Sequence, residues 1–238
     1  HSNIFGDGLM IIGIIIAMSA FVPIYSYLIF RKSQGAADAA AIGATYGSNS
    51  TLTYITAAGF LTSAGVAFEG YMTVALVVME TPAILFAIIM ARLSAHAGEK
   101  GKSTPAIIAE ALTDGTMLVM IGSMAIGYVL TALGSQDSPL SAFIGGDMFT
   151  GMLVFFLLYM GTVVGRRFKQ LESFPLPLLI FGIVAPIFNG MIAIGLSYIF
   201  KFKPGDTLLM TLLCASSSYI VAPALLKDAL PEANPAKY

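Results

Sequence analysis

Charge is what this sequence has least of. Only 11% of its residues are Asp, Glu, Lys or Arg, and 57% are hydrophobic; a soluble domain carries roughly 25% charged residues. That composition excludes a soluble globular fold. The net charge of −1 leaves no basic surface for nucleic acid. The single cysteine, Cys214, excludes an internal disulfide framework. The two histidines, His1 and His96, lie at the terminus and in a polar stretch, and read as solvated residues, not metal ligands. A Gly-Lys-Ser/Thr phosphate loop is absent, so no ATP-driven engine is visible. No signal peptide precedes the first apolar run, and an opening at His1-Ser2-Asn3 reads as a fragment. No nucleophile–base pair or metal-ligand cluster falls in the apolar runs, which argues against a membrane enzyme.

What remains is apolar and repetitive. Runs of about 20 residues, each able to span roughly 30 Å of hydrocarbon, recur along the chain. Seven spans are expected: Leu9 to Phe30, Ala36 to Ala64, Tyr71 to Ala91, Met117 to Leu133, Phe149 to Gly165, Leu176 to Phe200 and Leu208 to Leu226. A polar loop with His96, Lys100 and Lys102 follows the third span, and Ile107 to Asp114 reads as an interfacial turn. Ser135 to Pro139 reads as a loop. If the loop after the third span is cytoplasmic, ten of the twelve Lys and Arg residues lie inside and only Lys201 and Lys203 outside. The positive-inside bias selects that orientation.

Two spans carry small polar residues where an apolar centre is expected. The second holds Tyr46-Gly47-Ser48-Asn49-Ser50-Thr51, and the seventh holds Cys214-Ala215-Ser216-Ser217-Ser218-Tyr219. Such runs are costly in hydrocarbon unless they line a cavity or bind something. The two runs are 168 residues apart, and the same offset carries the first span onto the sixth. The chosen orientation makes the matched spans antiparallel, the signature of an inverted repeat. The expected fold is therefore an all-α integral membrane protein of inverted five-helix repeats with two discontinuous helices, of which this chain covers about seven spans. Residues 1–95 form part of the first repeat, 96–116 a cytoplasmic loop and interfacial segment, and 117–238 most of the second repeat.

A helix interrupted in mid-membrane exposes unpaired backbone groups. Each half-helix that starts after a break offers N–H groups and the positive end of its dipole, a ready anion site. In the second span that half begins near Ser50-Thr51, in the seventh near Ser217-Ser218. Hydroxyls of Ser48, Ser50, Thr51, Ser216, Ser217 and Ser218 add donors without charge, which suits a small monovalent oxyanion. Carbonyls of the half-helices that end at the breaks, at Gly47 and Ala215, suit Na+. The alternative for each hydroxyl is close packing or a bond to the i−4 carbonyl. Glu80, mid-span and two residues before Pro82, is a candidate cation ligand or gating group, or else a carboxyl capping a kink. Asn189 reads as a helix–helix hydrogen bond, and Gly43-xxx-Gly47 and Gly161-xxx-Gly165 as close helix contacts.

Several longer motifs are also present: Asp38-Ala-Ala-Ala-Ile-Gly-Ala-Thr-Tyr-Gly-Ser-Asn-Ser, Glu69-Gly-Tyr-Met, Met79-Glu-Thr-Pro-Ala, Met160-Gly, Ala215-Ser-Ser-Ser with Ala222-Pro, and Leu230-Pro-Glu-Ala-Asn-Pro. Together they resemble the SbtA-type sodium-dependent bicarbonate permeases over essentially the whole chain. The resemblance implies ten spans in inverted five-helix repeats with core and gate subdomains, a homotrimer, and multi-pass insertion in the inner (plasma) membrane. It implies bicarbonate import coupled to Na+, with no organic cofactor, and a PII-like cytoplasmic regulator that binds adenine nucleotides. By motif position the anion site carries over to Ser48, Ser50, Ser216, Ser217 and Ser218, with Thr51 and Thr53 beside them. Two positions depart from the pattern: Asn49 replaces a small apolar residue, and Tyr159 stands where an acidic residue is common. Asn49 joins the candidate anion site, and Gly47, Glu80 and Ala215 form the candidate sodium set. Another small anion, sulfate or a monocarboxylate, and a regulated anion channel are the competing readings. Saturable, Na+-dependent uptake separates a transporter from a channel. Ser50→Ala or Ser217→Ala should weaken anion binding by about 1–3 kcal/mol, the loss of a donor to a charged group, with little effect on folding. Unchanged uptake kinetics in both would remove the hydroxyls from the site.

Overall fold

In hydrocarbon a backbone must pair its own N–H and C=O groups, and a helix does so within one segment. A computed structural model describes residues 4–95, 105, 115–132, 147–168, 176–235 and 237–238. Regular structure among them is helical: α1 (Ile4–Phe30), α2 (Ala36–Gly47), α3 (Thr51–Ser63), α4 (Tyr71–Ala95), α5 (Gly115–Ala132), α6 (Asp147–Phe168), α7 (Leu176–Phe200), α8 (Pro204–Ala215) and α9 (Val221–Ala229). Each expected span falls on a helix or, for the second and seventh, on a pair of short ones. Among the described residues, three stretches are long and apolar enough to cross a membrane as single helices: Gly6–Phe30, Tyr71–Leu93 and Leu176–Phe200. His1, His96, Lys100 and Lys102, the Ile107 to Asp114 turn and the Ser135 to Pro139 loop lie outside the described residues.

The helices that carry the breaks are packed from both sides. α2 lies against α1 and α4, and α8 lies against α7 and α3. One apolar cluster joins the end of α1 (Tyr27, Phe30), α2 (Ile42), α4 (Ile84, Ile88), α7 (Phe181) and α9 (Leu226). A second joins the start of α1 (Ile11, Ile15), α3 (Tyr54, Leu61), α4 (Met72, Met79) and α8 (Leu209, Leu213, Cys214). Each cluster thus grips one pair of half-helices, α2 with α9 and α3 with α8. Tyr25 of α1 donates to Asn189 Oδ1 of α7 at 3.1 Å, the helix–helix bond expected of that asparagine.

Glycine sets how closely α1 and α2 approach. A Cβ on Gly43 would lie 2.9 Å from the backbone of Pro23, and one on Gly47 would lie 2.6 Å from the Pro23 ring. Pro23 sits inside α1, where it lacks an N–H and offers a flat ring to the glycine face. The other glycine pair differs from expectation. A Cβ on Gly161 or Gly165 meets nothing within 4 Å among the described residues, because the spacing makes a contact only where a second helix comes close.

Gly43→Ala should therefore lower stability by about 1–3 kcal/mol, the usual cost of overpacking. Gly161→Ala should stay within about 0.5 kcal/mol of the parent. Thermal melts in detergent check both, and equal melting temperatures would contradict the proline–glycine contact.

Candidate functional site

Local chemistry explains where each helix stops. α2 reaches Gly47, and then Ser48 (φ −91°, ψ −174°) and Ser50 (φ −107°, ψ 109°) are extended. Ser and Asn side chains compete for backbone hydrogen bonds and favour such interruptions. Ser50 then caps the next half: its Oγ accepts the Thr53 N–H at 3.2 Å and the Thr53 hydroxyl at 2.9 Å. The second break has the same plan. α8 ends at Ala215, Ser216 is extended (φ −78°, ψ 163°), and Ser218 Oγ accepts the Ala222 N–H at 2.9 Å.

One expectation is corrected here. The second half of the seventh span begins at Val221 and not at Ser217-Ser218. The reason is that the Ser218 N–H is bonded to the Thr45 carbonyl of α2 at 2.9 Å, which holds Ser218 outside the helix. Pro223, which lacks an N–H, fits the first turn where none is needed.

The two breaks touch. The Ser50 N–H donates to Ser216 Oγ at 3.1 Å, and the Ser218–Thr45 bond is the second link between them. Asn49 ties the first break to α4, its Nδ2 donating to the Leu76 carbonyl at 2.8 Å. Glu80 follows one turn along α4. In contrast, the hydroxyls in the body of α3 bond within the helix: Thr56 to Leu52, Thr62 to Ala58 and Ser63 to Gly59. Those are the packing residues of the alternative reading.

Two recesses flank the contact. A cavity of about 100 Å³ is lined by Asn49, Ser50, Thr51, Leu52, Ile55, Glu80, Ser218, Tyr219, Ile220 and Val221. It is far smaller than the few hundred Å³ of an organic-ligand pocket. The first residues of α3 and of α9 both face it. An open groove of about 340 Å³ is lined by Ser50, Thr53, Leu212, Ala215, Ser216, Ser217 and Tyr219. The candidate residues therefore divide. Asn49, Thr51, Glu80 and Ser218 belong to the cavity, Thr53, Ala215, Ser216 and Ser217 to the groove, and Ser50 to both. Ser48 lines neither and is fully buried, and Gly47 packs on Pro23. Six buried side-chain oxygens have no hydrogen-bond partner among the described residues; three of them, Ser48 Oγ, Asn49 Oδ1 and Glu80 Oε1, lie at or beside the first break, and the others are on Ser197, Thr211 and Tyr238. Tyr219, Ile220 and Val221 line the cavity without having been singled out; the run ending at Tyr219 was the available signal.

The whole chain, residues 1–238, matches one family. It belongs to the Na+-dependent bicarbonate transporter superfamily. That is a family of transporters and not of enzymes, and its defining ions are bicarbonate and sodium. No curated protein matches the chain significantly. For a bicarbonate transporter the chemistry of the breaks is suitable: neutral hydroxyls and helix N-termini can hold a monovalent oxyanion without the tight grip of an Arg.

The geometry also separates two serines that looked alike. Ser50 is a helix cap, so Ser50→Ala should cost about 1 kcal/mol of stability besides any effect on binding. Ser217 forms the groove wall, and Ser217→Ala should melt like the parent. Thermal melts without bicarbonate check the pair; a parental melting temperature for Ser50→Ala would contradict the cap.

Proposed function

We propose that this chain imports bicarbonate together with Na+, with both ions held where the two broken helices meet. One observation carries the reading: the Ser50 N–H to Ser216 Oγ bond at 3.1 Å, which brings the two polar breaks to one place. The anion lies at the starts of α3 and α9, against the N–H groups around Thr51 and Val221 and the hydroxyls of Ser50 and Ser218. Two helix ends of about half a positive charge each balance one monovalent anion. Ser216, Ser217 and Thr53 form the approach through the groove. Na+ sits on the carboxylate side, at Glu80 and the unpaired Asn49 Oδ1, with carbonyls near Gly47 and Ala215 as further oxygens. The shared cavity then makes each ion improve the other's binding, which is coupling in its simplest form.

An inverted repeat underlies this arrangement. Its support is local. α2 and α8 are both 12 residues long, and they start 168 residues apart. Ser48 and Ser216 end their half-helices in the same extended conformation, Ser50 caps the half that follows the first break, and Ser218 Oγ, two residues ahead of the Ile220 N-cap, accepts the Ala222 N–H of the half that follows the second. With the Lys and Arg bias, the two broken helices cross in opposite directions in a multi-pass inner-membrane protein. A homotrimer and a PII-like regulator follow from the resemblance and belong to this proposal as well.

Labelled bicarbonate should enter vesicles faster with an inward Na+ gradient than with K+ in its place. Excess sulfate or a monocarboxylate should compete poorly. Glu80→Gln should change the Na+ dependence of uptake more than its bicarbonate dependence. Uptake indifferent to Na+ would contradict the symport reading, and wild-type Na+ activation in Glu80→Gln would remove that residue from the cation site.

A further inference from the structure

Two buried aspartates lie far from the breaks, and the transport reading gives neither a role. Asp38 is the third residue of α2 and Asp206 the third residue of α8. They are 8% and 1% exposed. A carboxylate in the first turn of a helix usually serves the N–H groups of its own helix. The bonds of Asp38 and Asp206 lead elsewhere. Each reaches instead to another part of the chain.

Asp206 accepts the Glu69 N–H at 2.9 Å and the Tyr71 hydroxyl at 2.6 Å. Glu69 lies in the stretch that leaves α3, and Tyr71 is where that stretch enters α4. Lys203 and Glu69 form an ion pair beside it, and the Glu69 carboxylate holds the Lys203 ammonium above the usual lysine range. Gly205 presses against the Ala67 carbonyl with no room for a Cβ. Asp38 accepts the Asn234 N–H at 2.6 Å and the Lys237 ammonium at 2.6 Å. Both of those donors belong to the stretch leaving α9. Each aspartate thus takes one backbone N–H and one side-chain donor, from the chain that leaves the other broken helix. The two aspartates are 168 residues apart, the offset that also separates the starts of α2 and α8.

We propose that Asp38 and Asp206 are matched positioning residues: each clasps the entry of one broken helix to the exit of the other, and together they fix where the ion-binding N-termini of α3 and α9 point. The inference rests on the reading of the breaks as the ion site. Its physical content is leverage. The half-helices α3 and α9 are short, 13 and 9 residues, and among the described residues two bonds join the breaks, from the Ser50 N–H to Ser216 Oγ and from the Ser218 N–H to the Thr45 carbonyl. A clasp at the far end of each removes the freedom to tilt or slide that those central bonds leave. Buried carboxylates with two charge-assisted bonds are strong enough to do this, and leaving one unpaired would be costly.

Two mild variants test the clasps without emptying a buried charge of all its partners. Tyr71→Phe removes the side-chain donor to Asp206, and Lys237→Met the one to Asp38. Each should raise the bicarbonate KM of Na+-driven uptake by about threefold, a fraction of the tenfold that 1.4 kcal/mol represents, with Vmax within about twofold of the parent. Asp206→Asn, which keeps an acceptor for the Glu69 N–H, should fall between the parent and Asp206→Ala. The native thiol gives a readout that does not depend on the substrate. Cys214, buried at the end of α8, should react faster with a maleimide in Tyr71→Phe than in the parent. A lowered melting temperature with KM and Cys214 labelling unchanged would reduce the clasps to anchors of stability and overturn the proposal. A fall in Vmax at constant KM would overturn it too, because the clasp would then be a contact that opens during the cycle. If the parent itself takes up no bicarbonate, the transport reading fails, and the Cys214 labelling rate still decides whether the Asp206 clasp holds α8 in place.

Discussion

A broken helix in a membrane needs partners for the backbone groups it releases. The structure meets that need by setting one break against the other. The Ser50 N–H reaches Ser216 Oγ, and the Ser218 N–H reaches the Thr45 carbonyl. Either break alone would leave donors and acceptors stranded among apolar side chains; together they satisfy part of each other's demand. Asn49 Oδ1 and Glu80 Oε1 stay unpaired, and both residues line the small cavity at the starts of α3 and α9. In the proposed function, the polarity required by the substrate and the polarity tolerated by the fold are supplied by the same residues.

The close contact has requirements elsewhere. The glycine face of α2 sits flush on Pro23 of α1, which sets where the first break lies. Asn49 fixes the break to α4 through the Leu76 carbonyl, and so places it one turn from Glu80. The apolar clusters hold the half-helices in pairs, and each pair takes one half from each broken helix. Packing, and not helix propensity, therefore decides where the polar ends point, as expected for helices as short as these.

Much of this was legible in the residues because hydrocarbon is an unforgiving solvent. Four consecutive small polar residues inside one apolar run and three inside another have few structural explanations, and the positions of both breaks follow from that. The start of α9 was not legible, since it depends on a bond from Ser218 to a carbonyl 173 positions earlier. The division of the serines into cavity and groove was equally hidden. It depends on which side of the Ser50–Ser216 contact each side chain falls, and no spacing rule encodes that. The glycine pairs teach the same lesson: Gly43-xxx-Gly47 and Gly161-xxx-Gly165 read alike, but among the described residues only the first has a helix against it. Asp38 opened a motif that marked the family, yet its bonds to Asn234 and Lys237 emerge only from the fold.

The central claim is that the meeting point of the breaks holds the anion. The most direct measurement is a solid-state NMR distance between bound carbon-13 bicarbonate and nitrogen-15 backbone amides, in Na+-containing membranes. The account predicts dipolar contact from the bicarbonate carbon to the amides of Thr51 and Val221, lost when Na+ is replaced by K+. Bound bicarbonate with no contact to either amide would contradict it.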